Sequence, residues 1–313
     1  MSLDTQITSS EGIAQYRNRF RNFWNEYLPV WLAAPMVLLV LLITVFPGIY
    51  DLYLSLVHYS YVNPEQLGTF AGLHNFLVVF TDPTVWNSIR VTAIFVTSAL
   101  ILETILGFGL AALVTNVSHG PSKTFYRIAF ILPMAVAPVS LATIGQIMLN
   151  PQVGIIPYLI NTYTPLVAPN FLTDIPLLTV VLIDTWHWTP FMFIIFYAGL
   201  SSVPDELIEA ARVDGAPTWR TYVHIIIPYM KPVVFVAILI RLIDLFRTFG
   251  MVYGLTRGGP GNATKLLSIQ IFQTAFRFVD IGAASALAIA YLIAVLIICN
   301  VLIRIVGFEG VLE

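Results

Sequence analysis

Long apolar segments alternate with short polar ones along most of this chain. A helix needs roughly 20 mainly apolar residues to cross a membrane, and several segments reach that length. The pattern therefore predicts an all-α integral membrane protein with about six transmembrane helices. The predicted spans are 30–54, 89–114, 126–149, 177–200, 233–255 and 282–305.

A polar stretch between the fourth and fifth predicted spans, residues 201–231, also has the composition of a helix. Asp205 and Glu206 suit a first helical turn, because acidic side chains are stabilised by the positive end of the helix dipole. Gly215 follows at the end of this segment and indicates a stop, since glycine readily adopts the left-handed backbone that ends helices.

A second short helix is predicted directly after Gly215. Pro217 is suited to a helix start, and Pro228 should end or kink the helix, because proline lacks the N–H that the hydrogen-bond ladder requires. Both helices are too polar to lie in lipid. We interpret this pair of short helices, called the docking element below, as a surface for a partner protein.

Composition agrees with a membrane protein. Hydrophobic residues make up 58% of the chain and charged residues only 10%, whereas soluble proteins average about 25% charged residues. The mean hydropathy is +0.84. A formal net charge of −2 argues against a nucleic-acid partner. The single cysteine, Cys299, excludes an internal disulfide, and the scattered histidines do not predict a metal site.

The distribution of lysine and arginine predicts the orientation, because these residues are enriched on the cytoplasmic side. Loops 57–87 and 150–174 contain neither residue, which places them outside. We expect a cytoplasmic tail at 1–28, a transmembrane domain at 29–306 and a cytoplasmic tail at 307–313. One outer loop is an exception, with Arg257, Lys265 and Arg277. The basic residues on the predicted cytoplasmic side are Arg17, Arg19, Arg21, Lys123, Arg127, Arg212, Arg220, Lys231 and Arg304.

The spacing of residues in the docking element resembles the EAA loop of permease subunits from binding-protein-dependent ABC importers. The residues that carry this resemblance are Glu209, Ala210, Ala211, Gly215, Ile225, Ile227 and Pro228. The resemblance implies that this loop is the coupling helix, seated in a cleft of a cytoplasmic ATPase subunit. It assigns contact with the ATPase to Glu209, Ala210, Ala211, Asp214 and Gly215.

The resemblance extends to the outer loop at 70–76 and to the Gly-Gly-Pro turn within 255–261, and it suggests the carbohydrate-uptake branch. It implies a non-catalytic subunit in a prokaryotic inner membrane, with a second permease, an ATPase dimer and an extracytoplasmic binding protein as partners. The cargo would be a sugar, glycoside or polyol. No P-loop occurs, so this chain is expected to hold no cofactor, and ATP and Mg²⁺ belong to the partner ATPase.

Three charged residues lie within the fifth predicted span. Arg241, Asp244 and Arg247 fall within an arc of roughly 120° on a helix and therefore share one side. Charges within a membrane normally face a cavity or a partner. They form either a polar lining of the substrate pathway or a structural cluster, and the sequence does not decide between these two.

Other candidates lie in the second and fourth predicted spans. Asp184, Trp186 and Trp188 can contact sugar hydroxyls and ring faces, although aromatic residues at such places more often pack. Glu103 is an intramembrane acid that either acts in transport or bonds to a neighbouring helix. Small residues at 107 and 109 favour close helix packing.

Two other function classes are open to such a chain. An ion- or proton-coupled secondary transporter would use Glu103, Asp184 and Asp244 as carriers, but it predicts an internal repeat that is not evident and leaves the docking element unexplained. A membrane enzyme acting on lipid or glycan requires clustered acids or histidines at the interface, and the sequence lacks them. The importer subunit is therefore the favoured function.

Overall fold

A computed structural model describes residues 27–61, 64–116 and 121–306, and within these ranges the chain is helical, with no strand beyond two isolated bridges. The predicted tails, apart from residues 27 and 28, lie outside the described residues, as do Arg17, Arg19 and Arg21. The helices in chain order are α1 (Tyr27–Ser55), α2 (His74–Thr81), α3 (Pro83–Asn116), α4 (Pro121–Ile131), α5 (Pro138–Met148), α6 (Ile155–Tyr163), α7 (Pro176–Leu200), α8 (Asp205–Val213), α9 (Thr218–Tyr229), α10 (Lys231–Arg247), α11 (Gly250–Thr256), α12 (Leu267–Phe276) and α13 (Ile281–Val306).

The prediction of about six spans is confirmed by length and composition. Four described helices, namely α1, α3, α7 and α13, are long and apolar enough to cross a membrane, and two bent helix pairs raise the number to as many as six. The orientation of the chain across the membrane stays a prediction from the basic residues.

The third predicted span, 126–149, is wrong as a single straight helix. Its two halves meet at an angle of 93°. Val136 and Ala137 are extended between them, with ψ of 127° and 137°. Pro138 explains the conformation of Ala137, because the residue directly before a proline is driven from the helical to the extended region.

The fifth predicted span, 233–255, also differs from the structure. Helix α10 ends at Arg247, and Thr248 is extended with ψ of 124°. The carbonyl of Thr248 accepts a hydrogen bond from Ser268 Oγ at 2.6 Å in place of a helical partner. An apolar pattern cannot reveal such a break, because hydrophobic residues continue through it into α11.

Helices α3 and α7 pack closely at the centre of the molecule. A Cβ atom at Gly107 would lie 2.5 Å from Met192 Cβ, so the absence of a side chain permits the contact. Gly109, two residues further on, has open space where its Cβ would be. The prediction of close packing is therefore confirmed at Gly107 only.

We expect Gly107→Val to destabilise the protein by about 1–3 kcal/mol, because the new side chain must displace Met192 or the α7 backbone. Gly109→Val is the matched control and should change the free energy of unfolding by no more than about 0.5 kcal/mol. Denaturant unfolding of the purified variants in detergent measures both values. Equal destabilisation by the two variants would contradict the packing described here.

Candidate functional site

The docking element folds as two short helices joined at Gly215, as predicted. Helix α8 begins at Asp205, and its last residue is Val213. Gly215 has φ of +70°, in the left-handed region that glycine adopts without strain. Its N–H donates to the Arg212 carbonyl at 3.1 Å, and the N–H of residue 216 donates to the carbonyl of residue 211 at 2.9 Å. This hydrogen-bond pair is the Schellman arrangement that ends many helices.

Helix α9 follows with a π-helical turn at Tyr222–Ile226. It does not end at Pro228, but it meets α10 at a bend of 71°, two residues later at Met230. The kink predicted from Pro228 is therefore present with a small displacement. Because of this bend, the docking element stands off the axis of the span that follows it.

The residues predicted to contact the ATPase differ in their exposure. Glu209, Ala210, Asp214 and Gly215 are exposed, whereas Ala211 is only 5% exposed and packs inward. Ala211 is thus placed to hold the helix against its own chain.

Two apolar side chains of the docking element were not among the predicted contacts. Val213 is 87% exposed and Trp219 is 59% exposed, one on each side of Gly215. The signal for Val213 in the sequence is an apolar residue between Arg212 and Asp214. Trp219 has no comparable signal, because α9 is itself largely apolar.

Three acidic residues from three different predicted spans converge on the buried side chain of Arg241. The guanidinium of Arg241 is fully buried and contacts the carboxylates of Glu103, Asp184 and Asp244. Its Nε lies 2.5 Å from Glu103 Oε2 and its Nη2 lies 2.8 Å from Glu103 Oε1. Arg241 Nη1 lies 2.5 Å from Asp244 Oδ2, and Nη2 also donates to Asp184 Oδ2.

This charge cluster joins three helices, since Glu103 lies on α3, Asp184 on α7, and both Arg241 and Asp244 on α10. The face of Trp188 covers the guanidinium at 4.8 Å, which adds a cation–π contact. A buried charge is tolerated only when it is paired and hydrogen-bonded, and each nitrogen of this guanidinium contacts a carboxylate oxygen. The cluster fixes the relative positions of the three helices.

A small polar cavity of about 190 Å³ lies beside the charge cluster. Arg247 lines it with an exposed side chain and takes part in no ion pair among residues 27–61, 64–116 and 121–306. Asp244 links the cavity to the cluster, because its side chain is 40% exposed while it pairs with Arg241. The charged and aromatic walls are Asp184, His187, Trp188, Asp244, Arg247 and Phe249.

Trp186 lies apart from this cavity. Residues two positions apart on a helix point in nearly opposite directions, about 160° apart, so Trp186 and Trp188 face different surroundings. Trp186 is 54% exposed and lines an apolar cavity of about 490 Å³ between α5, α6 and α7. The structure thus brings together five of the six predicted pathway residues and separates Trp186. Within the described part of the chain, no group of three His, Cys, Asp or Glu is placed to hold a metal ion.

Comparison with known proteins gives concordant matches. The model of the family "Binding-protein-dependent transport system inner membrane component" matches residues 103–308. A probable ABC transporter permease protein, y4oQ, of Sinorhizobium fredii is 31% identical over 88% of each chain. The trehalose transport system permease protein SugA of Mycobacterium tuberculosis is 32% identical, over 90% of this chain and 89% of the relative.

Solved structures share the fold. A bacterial ABC transporter involved in the import of the acidic polysaccharide alginate has a chain with a TM-score of 0.76 and 21% identity, covering 91% of this chain and 98% of that chain. A chain of the MetNI methionine ABC transporter gives a TM-score of 0.52 at 17% identity, covering 72% of this chain and 97% of that chain.

Proposed function

Since the chain belongs to the family of binding-protein-dependent transport system inner membrane components, we propose that it forms half of the translocation pathway of an ATP-driven importer. The other half would be a second permease subunit. Two cytoplasmic ATPase subunits would supply the energy, and an extracytoplasmic binding protein would deliver the cargo. The chain would be a multi-pass protein of a prokaryotic plasma membrane with both termini in the cytoplasm.

The observation that carries this proposal is the docking element. It is an exposed pair of short helices joined through Gly215, of which α8 is polar, in a chain whose long helices are apolar. An ATPase that closes on this element would move α10 directly, since α9 is connected to α10 at the Met230 bend. The charge cluster would carry that movement to α3 and α7. The chain itself is proposed to be non-catalytic, with ATP and Mg²⁺ held by the ATPase.

We propose a sugar, glycoside or polyol as the cargo. Relatives of this chain are named for transport of trehalose, of trehalose and maltose, and of sn-glycerol-3-phosphate. The polar cavity has matching chemistry, because Trp188 and Phe249 offer ring faces while Asp244 accepts and Arg247 donates hydrogen bonds.

Trp188→Leu is expected to lower the initial rate of uptake about tenfold, equivalent to about 1.4 kcal/mol, because a ring face at the polar cavity is lost. Trp186→Leu is the matched control and should leave the rate within about twofold, since its side chain faces the apolar cavity. Uptake of labelled sugar into proteoliposomes at equal protein content measures both. If both substitutions lowered the uptake rate equally, the hypothesis that the polar cavity is part of the substrate pathway would be wrong.

The proposed function is tested by purifying the tagged chain from its host in mild detergent and identifying the proteins that accompany it. We expect an ATPase, a second permease and a binding protein, and we expect the reconstituted complex to take up the ligand of that binding protein only with hydrolysable ATP. Uptake by the chain alone, driven by an ion gradient, would instead support the secondary transporter.

A further inference from the structure

A second polar cleft, of about 480 Å³, lies far from the charge cluster, at the end of the bundle that is predicted to face outwards. It lies where α3 and α13 begin, and the loop before α12 lines part of it. Its charged walls are Asp82, Lys265 and Asp280. The proposed transport function uses none of these residues.

Lys265 is the cation of this cleft. Its side chain is buried, with the residue 8% exposed, and it is in no ion pair among the residues that the structure describes. Burial lowers the pKa of the Lys265 amine, and the positive charge of Arg277 lowers it further, whereas the charge of Asp82 acts in the opposite direction. An anion entering the cleft would favour the charged amine and supply its missing contact.

The same cleft also contains a hydrogen-bond acceptor that needs a donor. Gln270 is 4% exposed and lines the same cleft, and its Oε1 has no hydrogen-bond partner among the described residues. The carboxylates of Asp82 and Asp280 each accept one backbone N–H, from Thr84 at 2.7 Å and from Ala283 at 3.0 Å. These carboxylates keep further acceptor capacity, so the cleft suits a hydrogen-bond donor with positive charge.

The polar cleft continues into an apolar groove of about 510 Å³ between α3 and α13. The two share Val85 and Leu287 as lining residues, and Leu242 and Phe246 of α10 also line the groove. The groove is therefore the apolar continuation of a site that is polar at its outer end.

The length of the groove matches one leaflet of a membrane. Its lining residues on α13 run from Leu287 to Ile298. At about 1.5 Å per residue this distance is about 16 Å, close to half of a hydrocarbon core of about 30 Å. An extended acyl chain that starts at the polar cleft would thus end near the middle of the membrane.

We propose that the cleft and the groove together bind one phospholipid that carries a primary amine in its headgroup, of the phosphatidylethanolamine class. The phosphate contacts Lys265, and the ammonium group lies among Gln270 Oε1, Asp82 and Asp280. One acyl chain follows the groove.

The charges select this headgroup over other common ones. A choline headgroup carries a quaternary nitrogen without N–H, so it cannot donate to Gln270 Oε1. A glycerol headgroup offers no cation to Asp82 and Asp280, so these acids would face an anionic lipid unpaired. An apolar helix of a partner protein would fill the groove but leave the charges of the cleft unmatched.

The test uses the full importer complex in nanodiscs made from equal amounts of ethanolamine, choline and glycerol phospholipids. After transfer to mild detergent, native mass spectrometry counts the lipids retained on each complex. We expect one retained ethanolamine lipid per copy of this chain. Lys265→Gln should lower its retention about tenfold, because a charge-assisted contact with the phosphate is lost. Arg257→Gln is the matched control, since Arg257 is an exposed basic residue of the same outer loop that does not line the cleft.

A second pair of variants tests the groove. Ala294→Trp adds a large side chain to the groove lining and should also abolish retention, while Leu292→Trp changes an exposed residue outside the groove and should preserve it. Equal retention in Lys265→Gln and wild type would overturn the proposal. Retention of glycerol and choline lipids at the same level, or a partner helix cross-linked to Ala294→Cys, would also overturn it. The inference rests on the proposed function for the complex that is used, but lipid retention is read without any transport assay, so a failure to bind lipid and a failure to transport sugar are distinguishable.

Discussion

Replacement of Arg241 by methionine is expected to destabilise the folded protein by about 3–5 kcal/mol, enough to deplete it from the membrane fraction. The substitution leaves the carboxylates of Glu103 and Asp184 buried without a positive partner. Asp244 loses its partner too, but its side chain is 40% exposed and contributes less. Methionine preserves most of the volume, so the loss is caused by unpaired charge more than by a cavity.

Arg247→Met is the control for this experiment. Arg247 lies on the same helix and carries the same charge, but it is exposed and takes part in no ion pair among the described residues. We expect its free energy of unfolding to remain within about 0.5 kcal/mol of wild type. Denaturant unfolding in detergent, together with the yield from membranes, separates the two variants. A stable Arg241→Met protein would show that the cluster does not hold the helices together.

The origin of the loss is tested by neutralising the buried part of the cluster. Arg241→Met combined with Glu103→Gln and Asp184→Asn removes the buried unpaired charges and keeps only the partly exposed carboxylate of Asp244, and we expect it to recover most of the lost stability. Replacement of a complete buried ion pair is often nearly neutral, whereas removal of one partner is strongly destabilising. Failure of the combined variant to recover would instead indicate lost packing around Trp188.

The long spans were predictable because their length alone decides the structure. Helix α13 is apolar along most of its length, with Arg304 in its last turn, and its bounds differ from the prediction by one residue at each end. The bent spans were not predictable in the same way. Pro138 is visible in the sequence and explains the extended Ala137 before it, but neither the extended Val136 nor the 93° angle follows from a proline. The break after Arg247 has no signal in an apolar pattern.

The members of the charge cluster could be singled out from sequence, but their meeting could not. Each is a costly residue within an apolar segment, and that cost predicts a partner. Arg241 and Glu103 lie 138 residues apart, so their contact depends on the packing of α3 against α10. Helix geometry placed Arg241 and Asp244 on one side correctly. It could not show that Arg247, one turn further on, remains exposed at the polar cavity.

If the docking element couples the ATPase to this chain, as proposed, a substitution in it should abolish ATP-driven uptake without preventing folding. Gly215→Leu is expected to abolish ATP-driven uptake while the protein still inserts and assembles. Leucine strains the backbone at φ of +70°, and its side chain projects from an exposed turn. A Cβ atom at Gly215 would meet nothing within 4 Å in this chain, so further damage must come from a partner.

Gly215→Asn separates these two causes, because asparagine tolerates the left-handed region but still adds a side chain. Restored uptake in Gly215→Asn would assign the loss to backbone strain, and continued loss would assign it to a clash with the ATPase. Glu209→Lys should also abolish uptake, since it reverses the charge of an exposed residue of α8. Glu209→Gln removes the charge while keeping the shape, and we expect it to retain partial activity.

The measurements are sugar uptake into proteoliposomes, ATP hydrolysis, and the amount of ATPase that remains bound to the purified chain. Loss of uptake with equal amounts of folded chain, together with weaker ATPase binding, is the expected result for Glu209→Lys. Normal transport by both Gly215→Leu and Glu209→Lys at equal expression would contradict the coupling role. The energy of ATP would then have to enter the chain through a surface other than the docking element.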